Sequence, residues 1–91
     1  MKIPLEEIFS SKGAVRIIRT LVTKETINIS RLSRETGLST SQIKRYLSKL
    51  ISFGLISEMR IGRVRIYKCN FDNQYLLAIK GFIDKWESIR I

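Results

Sequence analysis

A predicted helix over residues 39–53 carries polar and basic side chains on one face. Ile43, Leu47 and Leu50 recur at intervals of four and three residues and form its apolar face. The opposite face comprises Thr40, Ser41, Gln42, Lys44, Arg45, Ser48 and Lys49. Hydroxyl, amide and guanidinium groups in this arrangement can contact base edges in a DNA major groove and the phosphates beside it. An ordinary amphipathic surface helix can carry the same residues, so both interpretations stay open at this point.

Three arginines lie at or beside the tip of a predicted β-hairpin, namely Arg60, Arg63 and Arg65. Like charges this close together repel one another when no anion is present. They suit the narrow and strongly negative minor groove of DNA. Basic residues also discourage edge strands from aggregating, but lysine would serve that purpose equally well. The arginines therefore favour a contact with DNA.

The net charge is concentrated in the same part of the chain. Seventeen Lys and Arg side chains against eight Asp and Glu give a formal charge of +9 over 91 residues. Residues 30–68 hold nine of the basic side chains and two of the acidic ones, a net charge of +7. A surface that serves only solubility normally mixes both signs. This distribution predicts a polyanionic partner, and double-stranded DNA is the one that we expect.

Residue types that support catalysis or metal binding are scarce. The chain has no His and a single Cys, Cys69, so the usual transition-metal ligand sets are missing. Its carboxylates form no recognisable catalytic motif. We therefore predict no catalytic residue, no metal site and no cofactor, and enzyme function ranks last. Cys69 is interpreted as a small buried residue at the end of a strand, with a redox-sensing thiol as the alternative.

Length and hydropathy indicate one small domain without a membrane segment. A chain of 91 residues can close a single core but seldom two. No apolar run approaches the roughly 20 residues that a membrane-spanning helix needs, and the first residues lack the apolar stretch of a signal peptide. We expect a cytoplasmic protein with no membrane partner.

Periodicity and capping residues predict the elements of the first half of the chain. The apolar face of a first main helix, which ends near residues 23–25, comprises Ala14, Ile17, Ile18, Leu21 and Val22. A serine at position 10 or 11 is available to cap it, and a very short strand over residues 26–29 follows. Ser30 and Gly37 are expected to cap the two ends of a short second helix.

The second half combines a helix, a hairpin and a final helix. Ser39 and Gln42 form a predicted capping box for helix 39–53, which Gly54 is placed to stop. One of residues 72 and 73 can cap a last helix that runs almost to residue 91.

The hairpin between these helices turns at Gly62, and its residues alternate across the two faces. We expect Val64 and Ile66 to face the core and Arg63 and Arg65 to face outward.

The sequence resembles the winged helix-turn-helix regulators, including the arsenic-repressor-like and multiple-antibiotic-resistance-like families. The resemblance covers residues 5–71 and is most specific in ISRLSRETGLSTSQIKRYLSKL, residues 29–50, followed by FGLI, residues 53–56. It implies an α+β fold, mainly α, in the order helix-strand-helix-helix-β-hairpin. It also implies a sequence-specific regulator of transcription whose helix at about 39–53 enters the major groove and whose basic wing at about 58–67 lies at the minor groove. The paired Cys and His ligands of metal-sensing members are absent, and no small-molecule effector can be placed.

The last helix carries a second informative pattern, a stripe of large apolar residues at heptad spacing. The stripe comprises Tyr75, Ile79, Phe82, Trp86 and Ile89, with Leu76 and Ile83 beside it. Exposed in a monomer, it would exceed the apolar patch that soluble proteins usually tolerate. We therefore expect a homodimer through Tyr75, Ile79, Phe82, Ile83, Trp86 and Ile89, with packing of this helix on its own domain as the alternative. The expected division is a DNA-binding unit over residues 1–71 and a dimerisation helix within 72–91.

Two other functions fit the same composition. One is an architectural DNA-binding protein that contacts phosphates and the minor groove without sequence preference. The other is a winged helix that binds an acidic protein partner, since fold alone does not imply function.

Overall fold

The computed structural model describes residues 2–90, so residues 1 and 91, the outer ends of the two expected units, lie outside it. Five helices and three strands are present in this range: α1 (Leu5–Ile8), α2 (Lys12–Lys24), β1 (Thr26–Asn28), α3 (Ile29–Thr36), α4 (Thr40–Ser52), β2 (Ile56–Ile61), β3 (Val64–Cys69) and α5 (Gln74–Glu87). Their order confirms the predicted winged helix-turn-helix with a C-terminal helix.

Local capping determines where the helices begin and end. The Ser11 hydroxyl accepts a hydrogen bond from the Ala14 N–H at 3.0 Å and starts α2. The predicted capping box of α4 is confirmed: the Gln42 N–H donates to Ser39 Oγ at 3.3 Å, and the Ser39 N–H donates to Gln42 Oε1 at 3.1 Å. Gly37 ends α3 in the left-handed conformation, at φ 73°, as predicted.

Two predicted helix ends need correction. The cap of α3 is Asn28 and not Ser30, because the chain passes directly from β1 into the helix, and Asn28 Oδ1 accepts from the Arg31 N–H at 2.8 Å. Asn73 caps α5, accepting from the Tyr75 N–H at 2.8 Å. This helix ends at Glu87, earlier than predicted.

The three strands form an antiparallel sheet in the order β1-β3-β2. Tyr67 pairs with Ile27 on one side and Glu58 on the other, and its side chain is buried against the helices. Alternation then places residues 65, 67 and 69 on the inner face and residues 64, 66 and 68 on the outer face.

The prediction that Val64 and Ile66 face the core is therefore wrong. Val64 is 48% exposed, Ile66 is half-buried, and Arg65 lies on the inner face instead. The helices cover only the base of the hairpin, so the buried residues Tyr67 and Cys69 determine which face points inward. Beyond the base, neither face of the wing packs against the core.

One hydrophobic core holds all the helices together, and α5 contributes to it through Leu76, Ile79 and Ile83. Lys80 fastens α5 to the end of α2: its Nζ donates to the Val22 carbonyl at 3.2 Å and lies 3.5 Å from a Glu25 carboxylate oxygen. The inward face of α5 therefore packs within its own chain and is not available to a partner.

Candidate nucleic-acid interface

The inner face of α4 anchors the helix in the core and leaves a polar stripe outside. Ile43, Leu47 and Leu50 are at most 1% exposed. The predicted residues that the structure exposes on this helix are Thr40, Ser41, Gln42, Lys44, Arg45 and Ser48. Ser41, Arg45 and Ser48, at intervals of four and three residues, lie opposite the buried face. Their side chains project together from a rigid helix.

Two residues of the predicted polar face already have partners inside the protein. Gln42 Oε1 accepts from both the N–H and the hydroxyl of Ser39, each at 3.1 Å, which leaves only its NH₂ group available. Lys49 is half-buried and its Nζ lies 2.8 Å from a Glu7 carboxylate oxygen. Both side chains lie beside the exposed face of α4, and their contacts within the protein help to position the helix.

Further hydrogen bonds hold α4 against its neighbours. The Tyr46 hydroxyl donates to the buried Ile8 carbonyl at 2.7 Å, and burial raises the pKa of Tyr46, so this donor keeps its proton. The Ser33 hydroxyl donates to the Leu38 carbonyl at 2.6 Å across the turn between α3 and α4. The helix-turn-helix is thus a fixed support for the side chains that project from it.

The wing presents its three arginines in different surroundings. Arg60 and Arg65 are directly opposite one another on β2 and β3, and Arg63 lies in the turn. Arg60 and Arg63 are exposed, whereas Arg65 is half-buried beside Tyr67. The pKa of Tyr67 is raised by burial and by the neighbouring Glu58, while Arg65 acts in the opposite direction. Arg60 and Arg63 are therefore the freer cations of the wing.

Cys69 lies in the core, as its interpretation as a small buried residue predicts. It is 2% exposed, and its thiol donates to the Leu21 carbonyl, with the sulfur 3.4 Å from the oxygen. Burial raises the pKa of Cys69 to about 11, with Glu25 adding to the rise and Lys80 opposing it. A protonated and shielded thiol is a poor nucleophile, so nothing here supports redox sensing.

Most acidic side chains of the described part of the chain are engaged in ion pairs, and they do not gather into a metal site. Among residues 2–90, the His, Cys, Asp and Glu side chains form no group of three that could hold a metal ion. Five carboxylates instead form ion pairs with Lys or Arg, namely Glu7, Glu25, Glu35, Asp84 and Glu87. No helix in the same range has both the length and the apolar character needed to cross a membrane.

The apolar stripe of α5 is divided between the core and the surface. Ile79 and Ile83 are 8% and 7% exposed, whereas Phe82 and Trp86 are 57% and 65% exposed. Tyr75 and Ile89 are also exposed, and Ile89 lies beyond the end of the helix. The inner residues of the stripe therefore pack in their own domain, and the outer residues do not.

Three of the outer residues, Tyr75, Phe82 and Trp86, line an apolar groove of about 630 Å³ between α1, α2 and α5. Leu5, Phe9 and Val15 form the side opposite α5. The Phe9 and Phe82 rings meet edge to face with centroids 6.4 Å apart, and Phe82 and Trp86 are 6.0 Å apart.

Sequence reasoning missed three contacts that shape these surfaces. Asn28 carries a local signal, since an Asn preceding a short helix is a typical cap. Lys80 also has one, because Asp84 follows it at the spacing of a helical ion pair. The Lys49–Glu7 pair spans 42 residues and has no local signal at all.

Comparisons with known proteins agree with this fold. Residues 14–57 match a family model described as winged helix-turn-helix DNA-binding. No curated protein sequence matches the chain significantly. The structure is similar to that of HlyU from Vibrio cholerae, at 17% identity and a TM-score of 0.74, with 90% of this chain and 86% of that chain covered.

Two further solved structures are similar over nearly the whole chain. NolR from Sinorhizobium fredii is 22% identical, with a TM-score of 0.71 and coverage of 94% of this chain and 82% of that chain. A predicted DNA-binding transcriptional regulator from E. coli is 24% identical, with a TM-score of 0.72 and coverage of 90% and 84%. At these identities the likeness concerns the fold. The chain thus has a winged helix-turn-helix fold, and its residues 14–57 are similar to the winged helix-turn-helix DNA-binding family.

Proposed function

We propose that this protein is a sequence-specific, double-stranded DNA-binding regulator of transcription that acts as a homodimer in the cytoplasm. The observation that carries the proposal is the exposed stripe of Ser41, Arg45 and Ser48 on a helix whose opposite face is fully buried. Such a helix can enter the major groove without any rearrangement of the core. The fold and the charge of the same segment agree with this role.

The proposed contacts follow from what each side chain is free to do. Ser41, Arg45 and Ser48 contact base edges, and Thr40 and Lys44 contact the phosphates on either side. Arg60 and Arg63 contact the minor groove. Because Gln42, Lys49 and Arg65 have neighbours within the protein, their contribution to DNA affinity is smaller than the sequence pattern predicts.

The proposed dimer forms through the apolar groove. Phe82, Trp86 and Tyr75 line it from α5 and Leu5 lines it from α1, while the exposed Ile89 extends the proposed interface beyond the end of α5. Ile79 and Ile83 form the floor and contribute mainly to their own core. We propose a functional division, with residues 1–71 supplying DNA contacts and residues 72–91 half of the interface, although both share one core.

The dimensions of the protomer suit such a dimer. Two reading helices on one face of DNA must lie about 34–36 Å apart, a span comparable with the 40 Å longest extent of one protomer. A symmetric pair of protomers therefore predicts a palindromic operator with half-sites one helical turn apart.

Selection of bound duplexes from a random library tests DNA binding, sequence preference and symmetry together. We expect one enriched palindrome, bound with a salt dependence that reflects about 6–10 neutralised phosphates per dimer. An Arg60→Ala/Arg63→Ala variant should bind every duplex more weakly. A Lys85→Ala/Arg90→Ala variant, which removes the same charge from the C-terminal segment, is the matched control.

The other outcomes each contradict part of the proposal. Tight binding without an enriched motif would indicate the architectural role. DNA affinity that is unchanged in Arg60→Ala/Arg63→Ala and in Arg45→Ala would indicate a winged helix that binds a protein.

A further inference from the structure

The outer face of the wing carries exposed apolar side chains. Met59, Ile61 and Val64 are 50%, 62% and 48% exposed, and Ile66 is half-buried. The sheet register pairs Met59 with Ile66 and Ile61 with Val64, so the four side chains form two adjacent cross-strand pairs. Large apolar groups clustered on a protruding hairpin indicate a surface that is covered when the protein functions.

The inner face of the same hairpin segment is basic. Arg60 lies opposite Arg65, and Arg63 occupies the two-residue turn between Ile61 and Val64. Gly62, the first residue of the turn, has φ 63°, which keeps the tip tight. The end of the wing therefore presents apolar groups on one face and guanidinium groups on the other.

Charge indicates what covers the apolar pairs. Across residues 58–66 the three arginines accompany a single acidic residue, Glu58, which lies on the inner face. The outer face continues toward the base of the sheet with Lys68. A second copy of this basic hairpin would bring like charges together, whereas a polyanion with apolar walls would not. The DNA minor groove has this character, since sugars form its walls and phosphates its rims.

The width of the wing, compared with that of the minor groove, has a consequence for the DNA. The strands of a β-ribbon are about 4.8 Å apart before their side chains are counted, and the minor groove of B-DNA is about 6 Å wide. The ribbon can enter only if the groove opens. Apolar side chains open minor grooves by unstacking a base step and kinking the duplex toward the major groove.

We propose that Ile61 and Val64 enter the minor groove as an apolar wedge, with Met59 and Ile66 following against the sugars, and that the wing thereby bends its DNA. Arg60 and Arg63 contact the phosphates at the rims of the minor groove while the wedge separates a base step. This role rests on the proposed function, because it needs the reading helix to place the wing on duplex DNA. The wedge also adds a sequence preference by indirect readout, because flexible pyrimidine–purine steps bend most easily.

The test uses the full chain and the duplex obtained by selection, with fluorophores at the duplex ends to report the bend. Ile61→Thr/Val64→Thr keeps the β-branched shape that suits a strand and removes the apolar wedge. We expect an affinity loss of about ten-fold or more and a clearly smaller bend. The slope of log affinity against log salt should not change, because no cation is removed. Leu77→Gln, at a residue that is 49% exposed on α5 and outside the groove, is the matched control.

Each alternative gives a different result. Unchanged affinity and bend in the double variant would overturn the wedge, as would a change in oligomeric state without DNA, which would indicate a self-association surface. A wild-type protein that binds no duplex would refute the proposed function itself. If the double variant melts early, Val64→Thr alone, which keeps the side-chain shape, gives the same comparison with a smaller expected effect.

Discussion

Helices α4 and α5 have nearly the same length and pack into the same core, yet their exposed faces differ in chemistry. They have 13 and 14 residues, and each buries residues of its inner face among the same side chains. Outside, α4 presents Ser41, Arg45 and Ser48, whereas α5 presents Phe82 and Trp86. The inner faces specify the fold, whereas the outer faces are the proposed surfaces for DNA on α4 and for a second protomer on α5.

The comparison also explains why the heptad stripe of α5 gave a mixed prediction. A stripe of large apolar residues can pack in the helix's own core or bind a partner, and here Ile79 and its neighbour Ile83 are buried in the core, whereas Phe82 and Trp86 stay exposed. The polar face of α4 had no such ambiguity, because charged residues seldom enter a core.

The largest predicted effect is on assembly. Trp86→Glu places a charge at the centre of the proposed interface, where leaving it unpaired and losing the indole contacts costs about 3–5 kcal/mol. We expect monomers in sedimentation equilibrium and, since one protomer holds only half the operator, DNA affinity reduced by roughly 100-fold or more.

Leu77→Glu is the control for this change, because Leu77 is exposed on the same helix but lies outside the groove. It should leave both assembly and DNA affinity unchanged. A Trp86→Glu protein that remains dimeric would place the interface on another surface.

The next effect concerns the α4 stripe. Arg45→Ala should reduce discrimination at one base pair by about 1–3 kcal/mol, because the proposed bidentate contact to a base edge is lost. Lys44→Ala should weaken binding to all sequences alike and lower the salt slope by about 1. Competition gel shifts with cognate and random duplexes measure both. Identical behaviour of the two variants would show that Arg45 contacts only phosphate.

A smaller effect tests the hydrogen bond that joins α4 to α1, and thus the DNA-facing helix to the side of the apolar groove. Tyr46→Phe keeps the ring but leaves the buried Ile8 carbonyl without its donor, which should cost about 1–2 kcal/mol of unfolding free energy. In a domain of this size that corresponds to a melting temperature lower by roughly 4–8 °C per kcal/mol. Chemical and thermal denaturation measure the loss. Stability equal to the wild type would mean that the bond is not formed in solution.

The smallest effect separates a cap from a contact. Ser39→Ala removes the N-cap of α4 and should cost about 1 kcal/mol of stability. Ser41→Ala, two residues later on the exposed stripe, should leave stability unchanged and weaken binding to the cognate duplex. If the two variants exchanged these effects, the proposed orientation of α4 on DNA would be wrong.

Local patterns in the sequence predicted most of the fold and the composition of the α4 face. Caps and turns such as Ser39, Gly37 and Gly62 act over a few residues, so they can be read directly. The face of the wing could not be predicted in this way. Its apolar residues suggest a core position, but the hairpin extends beyond the core, and its orientation follows from Tyr67 at the base.

The sequence by itself determined the order of elements, the concentration of positive charge and the apolar stripe of the last helix, because these depend on residue type and short spacing. Only the tertiary structure decided which members of that stripe are buried, that Glu7 holds Lys49, and that the wing has one apolar and one basic face. These depend on where distant segments meet. A side chain's surroundings, and not its type alone, decide whether it serves the core or a partner.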